Sequence, residues 1–179
     1  MTYVVLFRGI NVGGRNKVPM AALREHLADE FSRVRTYIQS GNVLLDSDLT
    51  AAEVAAHIDG GLRAKFSLDS ELVRVLVLDA DAFREVVAAA PDGFGTEPDL
   101  FHYDVLFYMG VTAEEVAPFI VVNPDVDQAT VGERAVYHRR LTSLATRSRL
   151  RMIIGSPVYS SLTIRNWNTT VKLAEMLDG

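Results

Sequence analysis

The chain has 179 residues, 49% apolar and 23% charged, which is the composition of a folded globular protein with a substantial core rather than of a disordered chain. It contains no cysteine, so disulfides, thiolate catalysis and cysteine-ligated zinc are excluded. The net charge of −5 is uneven: residues 1–46 carry net +2, residues 47–132 net −12 and residues 133–179 net +5. Basic ends suit phosphate or nucleic acid, and equally an ordinary mixed surface.

The first apolar run, Val4-Val5-Leu6-Phe7, stops at Arg8, too short for a signal sequence or a membrane span. The cytoplasm is therefore the expected location, with no membrane partner. Thr2–Phe7 reads as a buried central strand. A glycine-rich loop follows through Lys17. Pro19 then suits a helix start, with Met20, Leu23, Leu27 and Phe31 as the apolar stripe. Val34–Gln39 and Asn42–Asp46 read as strands joined at Ser40-Gly41. Thr50 and Glu53 form a capping box before a helix striped by Val54, Ile58 and Leu62, and Glu71–Leu78 reads as another strand.

The second half repeats this order. Asp79 or Asp81 caps a linking helix with Phe83, Val86 and Val87 inward, and breakers crowd Pro91–Pro98. Tyr103–Met109 is a strand. Thr112 and Glu115 form a second capping box, leading a helix through Val116, Phe119 and Ile120. Thr130-Val131 and Ala135–His138 pair through Gly132-Glu133. A short helix over Arg147–Ile154, a strand over Ser161–Arg165 and a helix over Asn168–Leu177 close the chain. The pattern predicts an α+β fold: two ferredoxin-like (βαββαβ) units, residues 1–78 and 79–179, with a C-terminal helix.

Three stretches hold more polar residues than turns require. In the loop after the first strand, Arg8, Asn11, Gly13, Gly14 and Lys17 suit an anion, because backbone amides and a helix start converge there. Arg8 follows a buried strand, where a charge is costly unless partnered. The glycines at 9, 13 and 14 fit neither a Walker A loop nor a dinucleotide fingerprint. Gln39, Ser40, Gly41 and Asn42 are explained by turn chemistry alone, although Gln39 stands at a strand position. No histidine or acid beside Ser40 makes it a nucleophile. Arg165, Asn166, Trp167 and Asn168 suit either a tight packing junction or a base or sugar site, and Asn168 or Thr169 can cap the last helix. His26, His57, His102 and His138 lack ligand spacing, so no metal is expected, and no cofactor fingerprint is present. The arginines at 139, 140, 147, 149 and 151 form a basic run that reads first as a solvated face.

The stretches LFRGINVGGRNKVPMAAL, VRTYIQSGNVLL, RSRL…IGSPVY and TIRNWNTTVKLAEML resemble the family known as domain of unknown function 1697. The resemblance implies two ferredoxin-like units and no established activity. It also implies that the RGIN loop, the QSGN turn and the RNWNT segment are hallmark residues of a shared site. Three functions stay open on these grounds. One is binding of a phosphate-bearing ligand, a nucleotide or nucleic-acid element, at that site. Another is an enzyme acting on a small phosphorylated metabolite. The third is a structural or interaction protein in which the same residues lock the two halves. The oligomeric state is not readable.

Overall fold

A computed structural model describes residues 1–69 and 73–179. Its chain divides into two compact units, Met1–Arg84 with Leu173–Gly179, and Glu85–Lys172. Each carries one four-stranded antiparallel sheet, so the fold is mixed α+β.

In the first unit, β1 (Thr2–Arg8), β2 (Ser32–Tyr37), β3 (Asn42–Asp46) and β4 (Arg74–Asp79) lie in the order β2-β3-β1-β4. Every residue from Tyr3 to Phe7 is buried, which accounts for an unbroken apolar run in place of alternation. Tyr3, Val5 and Phe7 meet Leu23 and Leu27 of α1 (Met20–Ala28) and Val54, Ile58 and Leu62 of α2 (Ala51–Lys65). Each of the three α2 side chains contributes roughly 1.5–3 kcal/mol by leaving water. The Thr50 hydroxyl accepts from the Glu53 amide while the Glu53 carboxylate accepts from the Thr50 amide, completing the expected capping box. Glu71 and Leu72, included in the strand expected there, lie outside the described residues. Phe31 is buried but lies beyond α1, and β2 starts two residues earlier than its apolar pattern indicates. An irregular register between Ser32 and Arg35, with Arg33 at φ 49°, makes that shift.

The second unit has β5 (Phe101–Tyr108), β6 (Asp127–Val131), β7 (Ala135–Leu141) and β8 (Leu162–Asn166) in the order β6-β7-β5-β8. A linking helix, α3 (Ala80–Ala88), has its first turn capped by Asp79, whose carboxylate accepts from the Ala82 amide at 2.8 Å. Two expected helices are corrected. Over Thr112–Ile120 the α-helix is one turn, α4 (Ala113–Val116), followed by a 3₁₀ turn at Ala117–Phe119. Pro118 has no N–H to continue the ladder. Over Arg147–Ile154 there is no α-helix: 3₁₀ turns at Thr142–Arg147 and Leu150–Gly155 are broken by extended Ser148. The buried Asp127 carboxylate accepts from the Ser148 hydroxyl and the Arg149 amide there. The last helix, α5 (Trp167–Leu177), starts at Trp167, and Asn166 rather than Asn168 or Thr169 caps it. The Asn166 side-chain oxygen accepts from the Asn168 amide at 3.0 Å.

Candidate functional site

The RGIN loop and the QSGN turn meet in the first unit. Gly9, Asn11, Gly13, Gly14 and Asn16 all take positive φ, so the loop coils tightly on residue types that tolerate it. Asn11 staples it. Its amide nitrogen donates to the Val18 carbonyl at 2.9 Å and the Gln39 carbonyl at 3.0 Å, and its oxygen accepts from the Val18 amide at 2.8 Å. Asn16 donates to the Gly9 carbonyl at 2.9 Å and accepts from the Asp69 amide at 2.8 Å. In the turn, buried Asn42 donates to the Tyr37 carbonyl and the Ser40 hydroxyl, both at 3.0 Å. Gly41 closes the approach: its carbonyl accepts from the Phe7 amide at 2.9 Å, and a Cβ there would stand 2.7 Å from Ile10 Cδ1.

These amides therefore build the loop and the turn. What the frame leaves exposed is Gly13, Gly14, Arg15, Lys17, Gln39 and Ser40, together with the apolar Val12 and Ile38. Among the described residues no carboxylate is ion-paired to Arg15 or Lys17. Arg8 is half-buried at the end of β1, directly across from Arg74 of β4.

The RNWNT segment lies in the second unit. Arg165 is 6% exposed and donates to the Thr163 hydroxyl at 2.9 Å and the Ile164 carbonyl at 2.8 Å. Burial pushes its pKa down to about 10. Asn166 donates to the Tyr103 carbonyl at 3.1 Å as well as capping α5. Trp167 stacks edge-on against Phe94, 5.1 Å between centroids, in an aromatic cluster with Tyr103 and Tyr137. Its indole lies where a Cβ on Gly95 would be, 2.2 Å from that position. Only Asn168 of the four is exposed. The pocket beside Asn166, Trp167 and Asn168 holds about 110 Å³, well short of the roughly 300 Å³ at which small-molecule sites begin.

With this geometry, the loop, turn and strand residues quoted above match a known family. Residues 1–137 fit the family described as "Protein of unknown function (DUF1697)". The chain belongs to that family. It is also similar to the solved structure of the conserved bacterial protein SP0830 from Streptococcus pneumoniae. The two share 26% identity at a TM-score of 0.83, over 98% of each chain. No curated protein matches the chain. No helix among the described residues is long and apolar enough to cross a membrane.

A polar cluster in the second unit escaped sequence reasoning. On one face of its sheet, Asp104 of β5 lies across from His138 of β7, and Asp127 of β6 lies across from Arg140 of β7. Asp104 accepts from Arg140 Nη1 at 2.8 Å and contacts His102 Nε2 at 3.1 Å. Asp127, 1% exposed, accepts from the Ser148 hydroxyl, the Asn123 amide, the Arg149 amide at 3.1 Å and His138 Nε2 at 3.4 Å. Burial pushes the Asp127 carboxyl upward, but the bonds from Ser148, Asn123 and His138 outweigh it and hold the pKa below the ordinary value. Burial lowers the pKa of His138, whose Nδ1 has no hydrogen-bond partner. The available signal was alternation: Val136, His138 and Arg140 share one strand face. Scanning for metal-ligand spacing along the chain cannot see residues gathered across strands. Among the described residues, no three His, Asp or Glu side chains gather as a cation site.

Proposed function

We propose that this is a cytoplasmic binding protein for a phosphate-bearing ligand, a nucleotide or nucleic-acid element, which docks on the RGIN loop and QSGN turn of the first unit. The observation that carries the reading is the Asn11 staple, which ties loop to turn and fixes one ledge. Gly13, Gly14, Lys17, Gln39 and Ser40 are exposed on it beside Arg15. A phosphate suits such a ledge because peptide N–H groups at glycines can approach an anion closely and fixed cations add Coulomb attraction. Asn11 supports the ledge through its bonds to Val18 and Gln39, Arg8 stands at the end of the strand that leads into it, and Asn42 shapes the turn. Residues 165–168 take a structural part in this reading, through Arg165, Asn166 and Trp167. The order β2-β3-β1-β4 with a βαββαβ element sequence also supports a ferredoxin-like description of the first half. The same strand order supports it for the second half, where 3₁₀ turns replace the second helix.

The test is an anisotropy titration with a labelled single-stranded oligonucleotide, and with a labelled adenine nucleotide, at 50 and 200 mM salt. Binding should weaken with salt, and Lys17→Ala should reduce the slope of log affinity against log salt by about 1 for the oligonucleotide. Binding that ignores both salt and Lys17, or no binding of either probe at millimolar concentration, would refute the reading.

A further inference from the structure

A cleft of about 410 Å³ lies in the second unit, between the polar sheet face and the segment of 3₁₀ turns after β7. Its volume falls within the range of about 300–1,000 Å³ typical of small-molecule sites. The sheet supplies Asp104, Arg140 and Ile164, and the segment supplies Arg151, Ile154 and Tyr159.

The two kinds of lining residue are separately informative. Ile154 is 59% exposed and Ile164 39% exposed, so two large aliphatic side chains face water within one concavity. Covering them releases free energy in proportion to the apolar area removed from water. Tyr159, half-buried, adds an aromatic surface. Charge gives the occupant its sign. Asp104 is already paired with Arg140 at 2.8 Å and bonded to His102, so it does not recruit a cation. Arg151 is exposed, and among the described residues no carboxylate is paired to it. The cleft's charged lining residues are Arg140 and Arg151 against Asp104, so pairing Asp104 with Arg140 leaves the positive charge of Arg151 in excess.

The geometry points to a binding site for a small amphipathic anion: a carboxylate- or phosphate-headed molecule with an apolar or aromatic body. The head is held at Arg151, beside Arg140. The body lies against Ile154, Ile164 and Tyr159. The segment carrying Arg151 is fixed by Asp127, through Ser148 and the Arg149 amide, so the cation is presented from an anchored backbone. This site is independent of the ledge in the first unit, because every lining residue falls between positions 104 and 164.

The experiment compares two dyes with nearly the same body on the full chain. These are 8-anilinonaphthalene-1-sulfonate, an anion, and N-phenyl-1-naphthylamine, its neutral counterpart. The anion should bind with one-to-one stoichiometry and more tightly than the neutral dye. Arg151→Ala should weaken the anion about fivefold, the scale of one partly screened charge contact, and leave the neutral dye unchanged. Ile154→Asp should weaken both dyes about tenfold or more by placing a carboxylate on the apolar wall. Both positions are exposed, and far-ultraviolet dichroism checks that the variants fold. Arg151→Gln serves as a second variant that removes the charge while keeping a polar side chain, and it should weaken the anion as alanine does. Lys17→Ala should change neither dye, which separates this result from the fate of the ledge reading. Displacement of the anionic dye by octanoate identifies a carboxylate-headed class, and displacement by a nucleoside monophosphate a phosphate-headed one. Equal affinity for both dyes, indifference to Arg151 and Ile154, or displacement by neither competitor would overturn the proposal. So would sedimentation showing that Ile154→Asp abolishes self-association, which would make the face a contact between copies.

Discussion

Replacing Asp127 by alanine removes the acceptor that holds the segment after β7 onto the sheet. Four donors lose their partner: the Ser148 hydroxyl, the Asn123 and Arg149 amides, and His138 Nε2. Ser148 is 7% exposed and His138 0%, so neither regains water without the structure opening. Each stranded buried donor costs about 1–3 kcal/mol. The two amides lie nearer the surface and rehydrate in part, so the total expected for Asp127→Ala is about 3–5 kcal/mol, the range for breaking a buried charged pair. Asp127→Asn preserves shape and one acceptor oxygen, and should cost about half as much. Urea unfolding followed by circular dichroism measures both. Amide exchange should show lost protection at residues 148–150, where Asp127 fixes the backbone. A cost for Asp127→Ala below about 1 kcal/mol, or equal costs for alanine and asparagine, would refute the anchoring argument.

Two further outcomes follow from the same geometry. His138 and Asp127 both have pKa values lowered in the fold, so the unfolded chain binds more protons and stability falls on acidification. The His138 contribution is lost as pH drops below about 6.5 and the Asp127 contribution as it drops below about 4, the ordinary values of the two groups. The charged neighbours facing His138 are Asp104, Asp127 and Arg140. His138→Gln should flatten the urea midpoint between pH 7.5 and 5, and an unchanged pH profile would contradict the reasoning. Gly41→Ala would place a Cβ 2.7 Å from both Ile10 Cδ1 and Phe7 Cβ at φ 75°. It should cost about 1–3 kcal/mol in a thermal or urea melt, with a wild-type value counting against the close approach of turn to loop.

Local chemistry sufficed for much of the fold. The run Val4–Phe7 specified a buried strand because only an apolar strand can be covered on both faces. Thr50 with Glu53, and Thr112 with Glu115, marked helix starts because each pair satisfies amides within four residues of chain. The hallmark stretches were likewise conspicuous by residue type, and the meeting of the RGIN loop with the QSGN turn followed from β1 pairing with β3. What the side chains do there was decided by tertiary structure. Asn11, Asn16, Asn42 and Asn166 carry the same amide whether it meets a ligand or a carbonyl, and only the folded chain supplies Val18, Gly9, Tyr37 and Tyr103 as partners. The helix expected over Arg147–Ile154 failed for a related reason. Its propensity is local, whereas Asp127, which binds the Ser148 hydroxyl and the Arg149 amide where Ser148 is extended, arrives from a strand some 20 residues earlier. The acidic and histidine residues of the second sheet form a cluster only through register, which sets Asp104 against His138 and Asp127 against Arg140. Register is fixed by which faces are buried and by the turns between strands, so pairing across a sheet is invisible to spacing along the chain.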